Sequence, residues 1–521
     1  MDAARRALRA SYPYLTAATP VLYLAAQNVA QVTPDQIVAP LLALLVATAL
    51  MLFAGTRVLG SRALAAILVT LLLLVLFTGG GLRETLVENV GPGFRWPAFA
   101  LGLALGAGLL YGTWRAVAGR PAREEAATTM LSIMALVLFL NMAVSLASPA
   151  KRRVFFDLER VAVDAEPPAH PVLPDESAQF PDVYYIVADA YPRADVLQRY
   201  YGYDNSAFIA WLQSRGFYVA RDSWSNYQST YLSLASSLSM RFVDPEIARI
   251  RERTGEPDRT ALYRLIQRPD VASRLQQKGY RYAQTLTHWG GTDRSASADI
   301  RYKFAPFLGS EFASTLANMT LLGALAPTLD ELHAFVAAKA VEIASIDGPT
   351  FAFVHLLLPH NPYVFDRDGR VVGSHPLTLS MKLQDAAWGE REPFAEQVRH
   401  TNTLLKQVIE GILARSDTPP IIILQGDHGS GLSRFQDGVG RDAPDPGERL
   451  AILNAYLVPE ATRAKLYPGI TPVNSFRLLL STHFGDDVPL LPDRSYYSFS
   501  PNPYDLRDVT DELATSSTSG R

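Results

Sequence analysis

Cysteine is absent from all 521 residues. Any part of the chain that is exported must therefore hold its fold by core packing, or by a metal ion, without disulfide help. A marked charge of either sign is also missing: 48 Lys and Arg against 51 Asp and Glu leave a formal net charge of −3. Nothing in that balance suggests a nucleic-acid partner. No internal repeat is present. The longest hydrophobic runs almost lack ionisable side chains, whereas transport pathways usually need some within the membrane, so these runs read as an anchor and not a transporter.

What is there begins with apolar residues, 48% of the chain, which makes it too greasy to be wholly soluble. They concentrate up to about residue 150, in blocks at 12–30, 36–55, 62–80, 96–114 and 127–147. Each is about 18–21 residues, enough to span a bilayer. The expectation is a transmembrane domain of about five helices over residues 1–150. Arg5, Arg6 and Arg9 precede the first block, Arg57 and Arg62 follow the second, and Arg115, Arg120 and Arg123 follow the fourth. By the positive-inside rule the N-terminus is cytoplasmic and the C-terminal part lies outside; Lys151, Arg152 and Arg153 run against this. A cleaved signal peptide ending near Ala25 and Ala26 is the competing reading of the first block. The stretch 151–180, with Glu166-Pro167-Pro168-Ala169-His170-Pro171, reads as a linker. Residues 506–521, with Ser516, Ser517 and Ser519, read as a disordered tail.

Between them, residues 181–505 alternate short apolar runs with longer helical stretches, which predicts an α/β domain with a largely parallel sheet flanked by helices. Three runs deliver polar residues at their ends. Val183 to Val187 leads to Asp189, Phe351 to Leu357 leads to Pro359-His360, and Ile421 to Leu424 leads to Gly426-Asp427-His428-Gly429. In open α/β sheets, ligands bind outside the carboxyl ends of the strands. Taken singly, an Asp after a strand is often a helix cap or turn residue. The adjacent carboxylate and imidazole of Asp427-His428, on a Gly-flanked turn, suit a metal better than a core. Thr230 opens a Ser-rich, helix-like segment; at a helix N-terminus its hydroxyl and a bound phosphate would be favoured by unpaired N–H groups. Packing and capping explain such segments equally well, and Ser229 and Ser233 compete with Thr230 for the role. Two carboxylates, an imidazole and a hydroxyl are donors suited to holding a divalent cation against an oxygen nucleophile, which points to esters of phosphate or sulfate.

Asp182 to Asp189, Asn226 to Ser236, Pro359-His360-Asn361-Pro362 and Gly426-Asp427-His428-Gly429 occur in the order expected of the sulfatase-like branch of the alkaline phosphatase superfamily. The chain resembles its lipoteichoic acid synthase and phosphoethanolamine transferase group, over about 180–500 by motif and over the first 150 residues by architecture. That resemblance implies Asp189, Asp427 and His428 as metal ligands, Thr230 as a nucleophile that also touches the metal, and His360 as a contact to the substrate's anionic group or leaving oxygen. Substrate contacts would fall near His288, Trp289 and Arg294. His355 is expected to point into the core or toward a neighbouring strand. Sulfatases make their aldehyde nucleophile from a Cys, or less often a Ser, in a Cys/Ser-x-Pro-x-Arg context; the matching stretch Thr230-Tyr231-Leu232-Ser233-Leu234 has neither the Pro nor the Arg, which demotes sulfate esters. Ala190 stands where many sulfatases have a second Asp, and no second metal set is evident. One divalent metal, Mn²⁺ or Zn²⁺, is expected.

The implied chemistry is a double displacement through phospho-Thr230. The membrane tether favours a phospholipid as donor of a phospho-alcohol headgroup and an envelope glycan or lipid as acceptor, in a bacterial-type inner membrane with the catalytic domain outside. A phosphodiesterase, a phosphatase or a sulfuric ester hydrolase is the runner-up. An inactive surface module for binding or sensing is the alternative of another class, and a missing metal donor would be its mark.

Overall fold

The computed structural model describes residues 2–148, 151, 180–254, 258–305, 309–372, 389–434, 444–500 and 502–518. Nearly all of the expected linker therefore lies outside the described residues.

Five long helices open the chain: α1 (Asp2–Gln27), α2 (Pro34–Leu59), α3 (Arg62–Val90), α4 (Arg95–Val117) and α5 (Pro121–Leu146). Four of them, α2 to α5, are long and apolar enough to cross a membrane. The helix of the first block is long enough but less apolar, so among the described residues four helices meet both conditions, where five were expected. It faces inward instead: Tyr12, Ala17, Val21 and Ala25, four or five residues apart, are fully buried against α2, α3 and α5, as one stripe of a 3.6-residue period requires. The other helices carry their large apolar side chains outward, among them Leu50, Phe53, Leu105 and Val144.

The second half is built on seven strands: β1 (Val183–Ala188), β2 (Tyr218–Val219), β3 (Arg281–Leu286), β4 (Ile300–Lys303), β5 (Thr350–Leu356), β6 (Ile421–Gly426) and β7 (Asn454–Leu457). Their order is β2-β7-β6-β1-β5-β3-β4. β1 pairs in parallel with β5 and β6, and β3 in parallel with β5 and β4; β7 runs antiparallel to both β6 and β2. The central strands read as unbroken apolar runs because helices cover both faces. Tyr184 and Ile186 enter one buried cluster, while Val183, Tyr185 and Val187 enter the other. Register aligns Ala188 with Leu356 and with Gly426. The residues that follow these three strands thus emerge side by side.

The expected disordered tail is partly ordered. β8 (Tyr496–Ser498) pairs with β9 (Leu506–Asp508), and a helix follows at Thr510–Thr518. Val509 and Leu513, four residues apart, bury against Leu450 and Tyr497, and that contact supplies the order which a Ser- and Thr-rich composition conceals.

Candidate active site

Each donor sits where a strand stops. Asp189 follows β1, His360 follows β5 and Asp427-His428 follows β6. Asp189 is locked by its own backbone: its amide donates to the Leu356 carbonyl at 2.9 Å, and its carbonyl accepts from the His360 amide at 3.0 Å. The next residue, Ala190, holds a left-handed φ of 61°, which costs a non-glycine residue on the order of 1 kcal/mol or more. The Ala190 amide donates to Asp427 Oδ1 at 2.9 Å, so this strained turn ties the end of β1 to the end of β6. The glycines around Asp427-His428 have a steric cause. A Cβ on Gly426 would meet the Tyr191 carbonyl oxygen at 2.4 Å, and one on Gly429 the Glu448 carbonyl oxygen at 2.2 Å.

Thr230 is the first residue of helix α6 (Thr230–Ser239), with Ser229 in extended geometry before it. Its Oγ1 lies 3.2 Å from His428 Nε2. Ser233 is turned away, donating to the Tyr227 carbonyl at 2.7 Å. The structure therefore brings Thr230, Asp189, His360, Asp427 and His428 together. Asp189, His360 and His428 each place a ligand atom within 4.8 Å of the others. His428 Nε2 lies 3.6 Å from Asp189 Oδ1 and 3.5 Å from Asp427 Oδ2. His428 Nδ1 lies 2.8 Å from the Gly429 carbonyl; donating there, it leaves the Nε2 lone pair on the cluster side.

Electrostatics divide the two carboxyls. Both are fully buried, which opposes ionisation, yet the imidazoles of His360, His355 and His428 hold Asp189 below the usual carboxylate range. Asp427 is pushed well above it, by burial and by the neighbouring Asp189 charge. Like charges a few ångströms apart split in this way. Burial, and then the nearby Arg449 guanidinium, press His428 far below its ordinary value and keep it neutral. Asp189 Oδ1 and Asp427 Oδ2 are buried without a hydrogen-bond partner. Two such oxygens facing a neutral imidazole nitrogen and a hydroxyl fit a divalent cation, since a buried carboxylate oxygen is otherwise costly.

His288 and Arg294 lie outside this cluster. His288 is buried, with its ring nitrogens 2.9 Å from the Phe304 carbonyl and 3.0 Å from Ser314 Oγ. Arg294 pairs with Asp35 in the first turn of α2 at 3.3 Å and donates to Oγ1 of Thr33, the residue before that helix, at 3.3 Å.

Two residues at the cluster were not legible as site residues. His355, read from sequence as a core or strand-facing side chain, lies with Nε2 3.5 Å from Asp189 Oδ2 and Nδ1 3.2 Å from Thr292 Oγ1. The one available signal was a polar residue near the end of an apolar strand, five residues before His360. Arg449 donates to the carbonyls of Gln228 at 2.9 Å and Gly429 at 3.2 Å, and its Nη2 reaches His428 Nε2 at 3.3 Å. Buried Glu448 beside it accepts from Ser430 Oγ and from the Leu432 and Ser433 amides, holding the loop after Gly429.

Carboxylates, imidazoles and a hydroxyl gathered at the strand ends of a mostly parallel sheet define an enzyme of sulfate or phosphate esters. The Sulfatase family model matches residues 181–456, more than half of the chain, and the protein belongs to that family. Among solved structures, the chain is similar to the C-terminal periplasmic domain of EcEptC from Escherichia coli, at 14% identity over 66% of this chain and 96% of that one, with a TM-score of 0.42. The same domain in complex with Zn matches at 13% identity, 66% and 96% coverage and a TM-score of 0.43. The C-terminal periplasmic domain of phosphoethanolamine transferase EptC from Campylobacter jejuni matches at 13%, 60% and 92%, with a TM-score of 0.39. No curated protein matches the sequence.

Proposed function

We propose that this protein transfers a phospho-alcohol headgroup from a membrane phospholipid to an envelope glycan or lipid, through a phospho-Thr230 intermediate. The observation that carries the reading is Thr230 Oγ1 at the start of α6, 3.2 Å from His428, in a chain without cysteine. A hydroxyl so placed is a nucleophile that needs no oxidation to an aldehyde.

Asp189, Asp427, His428 and Thr230 would hold the divalent metal, Mn²⁺ or Zn²⁺. When bound, it supplies Lewis-acid neutralisation of charge on the phosphoryl oxygens. Thr230, its proton already lost to solvent, attacks phosphorus as the Oγ1 alkoxide, the bond from phosphorus to the diacylglycerol oxygen breaks, and His360 gives that oxygen its proton. The Arg449 guanidinium offers donors to the remaining phosphoryl oxygens. His360 then takes the proton of the acceptor hydroxyl as that oxygen attacks phosphorus, and Thr230 leaves as the alkoxide that began the cycle. With water as acceptor the same steps give a phosphodiesterase.

Membrane placement supports the lipid donor. The catalytic domain meets the end of the bundle where α2 and α4 begin, through the pairing of Arg294 with Asp35 and the donation of Arg95 to the Ala326 carbonyl. Arg9, Arg57, Arg62, Arg115 and Arg120 lie at the other end of these helices. A basic cytoplasmic end puts the catalytic domain outside, in a bacterial-type inner membrane.

The test is diacylglycerol release from mixed phospholipids by the detergent-purified full chain with Mn²⁺ or Zn²⁺, read by mass spectrometry alongside Thr230→Ala. Release by the unaltered protein alone, with a Thr230 peptide carrying the phospho-alcohol group when acceptor is withheld, is the expected result. Release by neither protein would end the lipid-donor reading and move the search to soluble phosphate and sulfate esters.

A further inference from the structure

Between β4 and β5 the catalytic domain sends out α7 (Glu311–Asn318) and a single-turn helix at Leu321–Leu325. This segment sits against the membrane bundle. Phe312 and Leu316 bury among Val21, Leu24 and Ile37, and the single turn packs on α3 and α4. The fit is close enough to exclude a methyl group: a Cβ on Gly80 would meet the Met319 carbonyl oxygen at 2.0 Å, and one on Gly102 the Leu321 side chain at 2.5 Å. Two arginines from the bundle close on the turn from either side. Arg83 donates to the Asn318 carbonyl at 3.0 Å, and Arg95 donates to the Ala326 carbonyl at 2.5 Å.

We propose that Leu321–Leu325 is a membrane-inserted keel of the catalytic domain, with Leu322 and Leu325 in the outer leaflet's acyl region. The inference rests on α2 to α5 crossing the membrane. Three observations carry it. Leu322 is 48% and Leu325 59% exposed, on a turn whose third leucine is already buried against α3 and α4. Depth follows from α4: Arg95 and exposed Trp96 open it and mark the bilayer interface, since Trp concentrates there. Gly102, where Leu321 docks, is six residues beyond Trp96 and so about 9 Å deeper along the helix. At that depth the neighbouring outward side chains are Leu101 and Leu105, so the exposed leucines continue a lipid-facing surface. Finally, irregular backbone at membrane depth is tolerated only where its polar groups find partners, and the two arginine donations provide them at both ends of the turn. Because the keel belongs to the catalytic chain between β4 and β5, it fixes the height of the strand ends above the headgroups.

The absence of cysteine makes the test direct. Single-cysteine variants of the full chain, Leu322→Cys and Leu325→Cys, are spin-labelled in proteoliposomes and their collision rates with oxygen and with a water-soluble nickel chelate compared. Leu109→Cys on α4 serves as the lipid reference. Ser214→Cys, on the helix beside β2 at the opposite edge of the sheet from β4, serves as the aqueous reference. Oxygen-to-nickel ratios at 322 and 325 close to that of 109, and several-fold above that of 214, are expected. Ratios at 322 and 325 equal to that of 214, with 109 still in lipid, would overturn the keel and leave the anchor standing. A ratio at 109 equal to that of 214 would overturn both.

Discussion

Two buried polar regions lie close together in this molecule and are built in opposite ways. At the strand ends, Asp189 Oδ1 and Asp427 Oδ2 have no hydrogen-bond partner and face His428 Nε2 at 3.6 and 3.5 Å. In the loop Thr287–Arg294, toward the membrane bundle, His288 is held at both nitrogens, Thr287 and Thr292 share a bond of 2.6 Å, and Arg294 is paired with Asp35. Burial alone does not distinguish them. Unspent oxygens converging on one point describe a place for a cation, whereas side chains already paired describe a strut between domains. His355 joins the two, between Asp189 and Thr292.

Removing an unspent oxygen should give the largest effect. Asp427→Ala is expected to abolish bound Zn²⁺ or Mn²⁺ and to bring turnover to background while the protein stays folded, checked by metal analysis and circular dichroism of the same preparation. Full metal content in that variant would make the cluster a structural feature only. Next comes the joint: His355→Ala should weaken metal affinity by about 10–100-fold, as loss of a partner behind a metal ligand does. A metal titration reads this, with turnover restored by excess metal; an unchanged affinity would detach His355 from the cluster.

Much of this contrast could be foreseen from the residue order, and the rest could not for identifiable reasons. Parallel central strands announce themselves as apolar runs because both faces are covered, and Asp427-His428 is conspicuous because its donors are adjacent in sequence and Gly-flanked. Thr230 could not be told from Ser229 or Ser233 until the helix start was placed. His355 looked like core because its partner Asp189 is distant along the chain, and Arg449 has no motif at all: the Gln228 and Gly429 carbonyls position it. Helix α1 falls short of α2 to α5 in hydropathy, and its apolar residues form a stripe turned inside the bundle. The stretch 506–518 misled through composition, with a few buried residues ordering a polar sequence. The segment Leu321–Leu325 gave no signal, because its meaning lies in what it touches.

The loop contains unspent atoms of its own, Asp293 Oδ1 and Arg294 Nε, which lie 3.7 Å apart. Asp293 Oδ1 is buried without a partner, and burial, outweighing Arg294 and Lys303, raises this carboxyl from 3.8 to about 6. The folded protein then keeps a proton that the unfolded chain loses, so stability is full below about pH 4 and falls as pH rises toward 6. Linkage gives a ceiling of about 3 kcal/mol, and about half that once the site relaxes. Thermal unfolding from pH 4 to 7 should show a downward slope that Asp293→Asn flattens, with turnover at pH 7 unaltered. A slope unchanged by the substitution would mean that Asp293 is solvated, and the loop would lose that resemblance to the cluster.

The smallest effect should come from Arg294. Its partner Asp35 is 3.3 Å away, but the two side chains are 42% and 64% exposed, and an ion pair that wet contributes about 0.2–1 kcal/mol. Arg294→Ala should accordingly lower the melting temperature by a few degrees at most and leave kcat and KM where they were. The opposite outcome is the informative one. A KM for phospholipid that rises several-fold, with a soluble phosphodiester hydrolysed as before, would show that the guanidinium leaves Asp35 for a lipid phosphate at the bundle's outer edge. The loop would then be a substrate contact as well as a strut, and pairing in the resting protein would no longer be enough to separate the two regions.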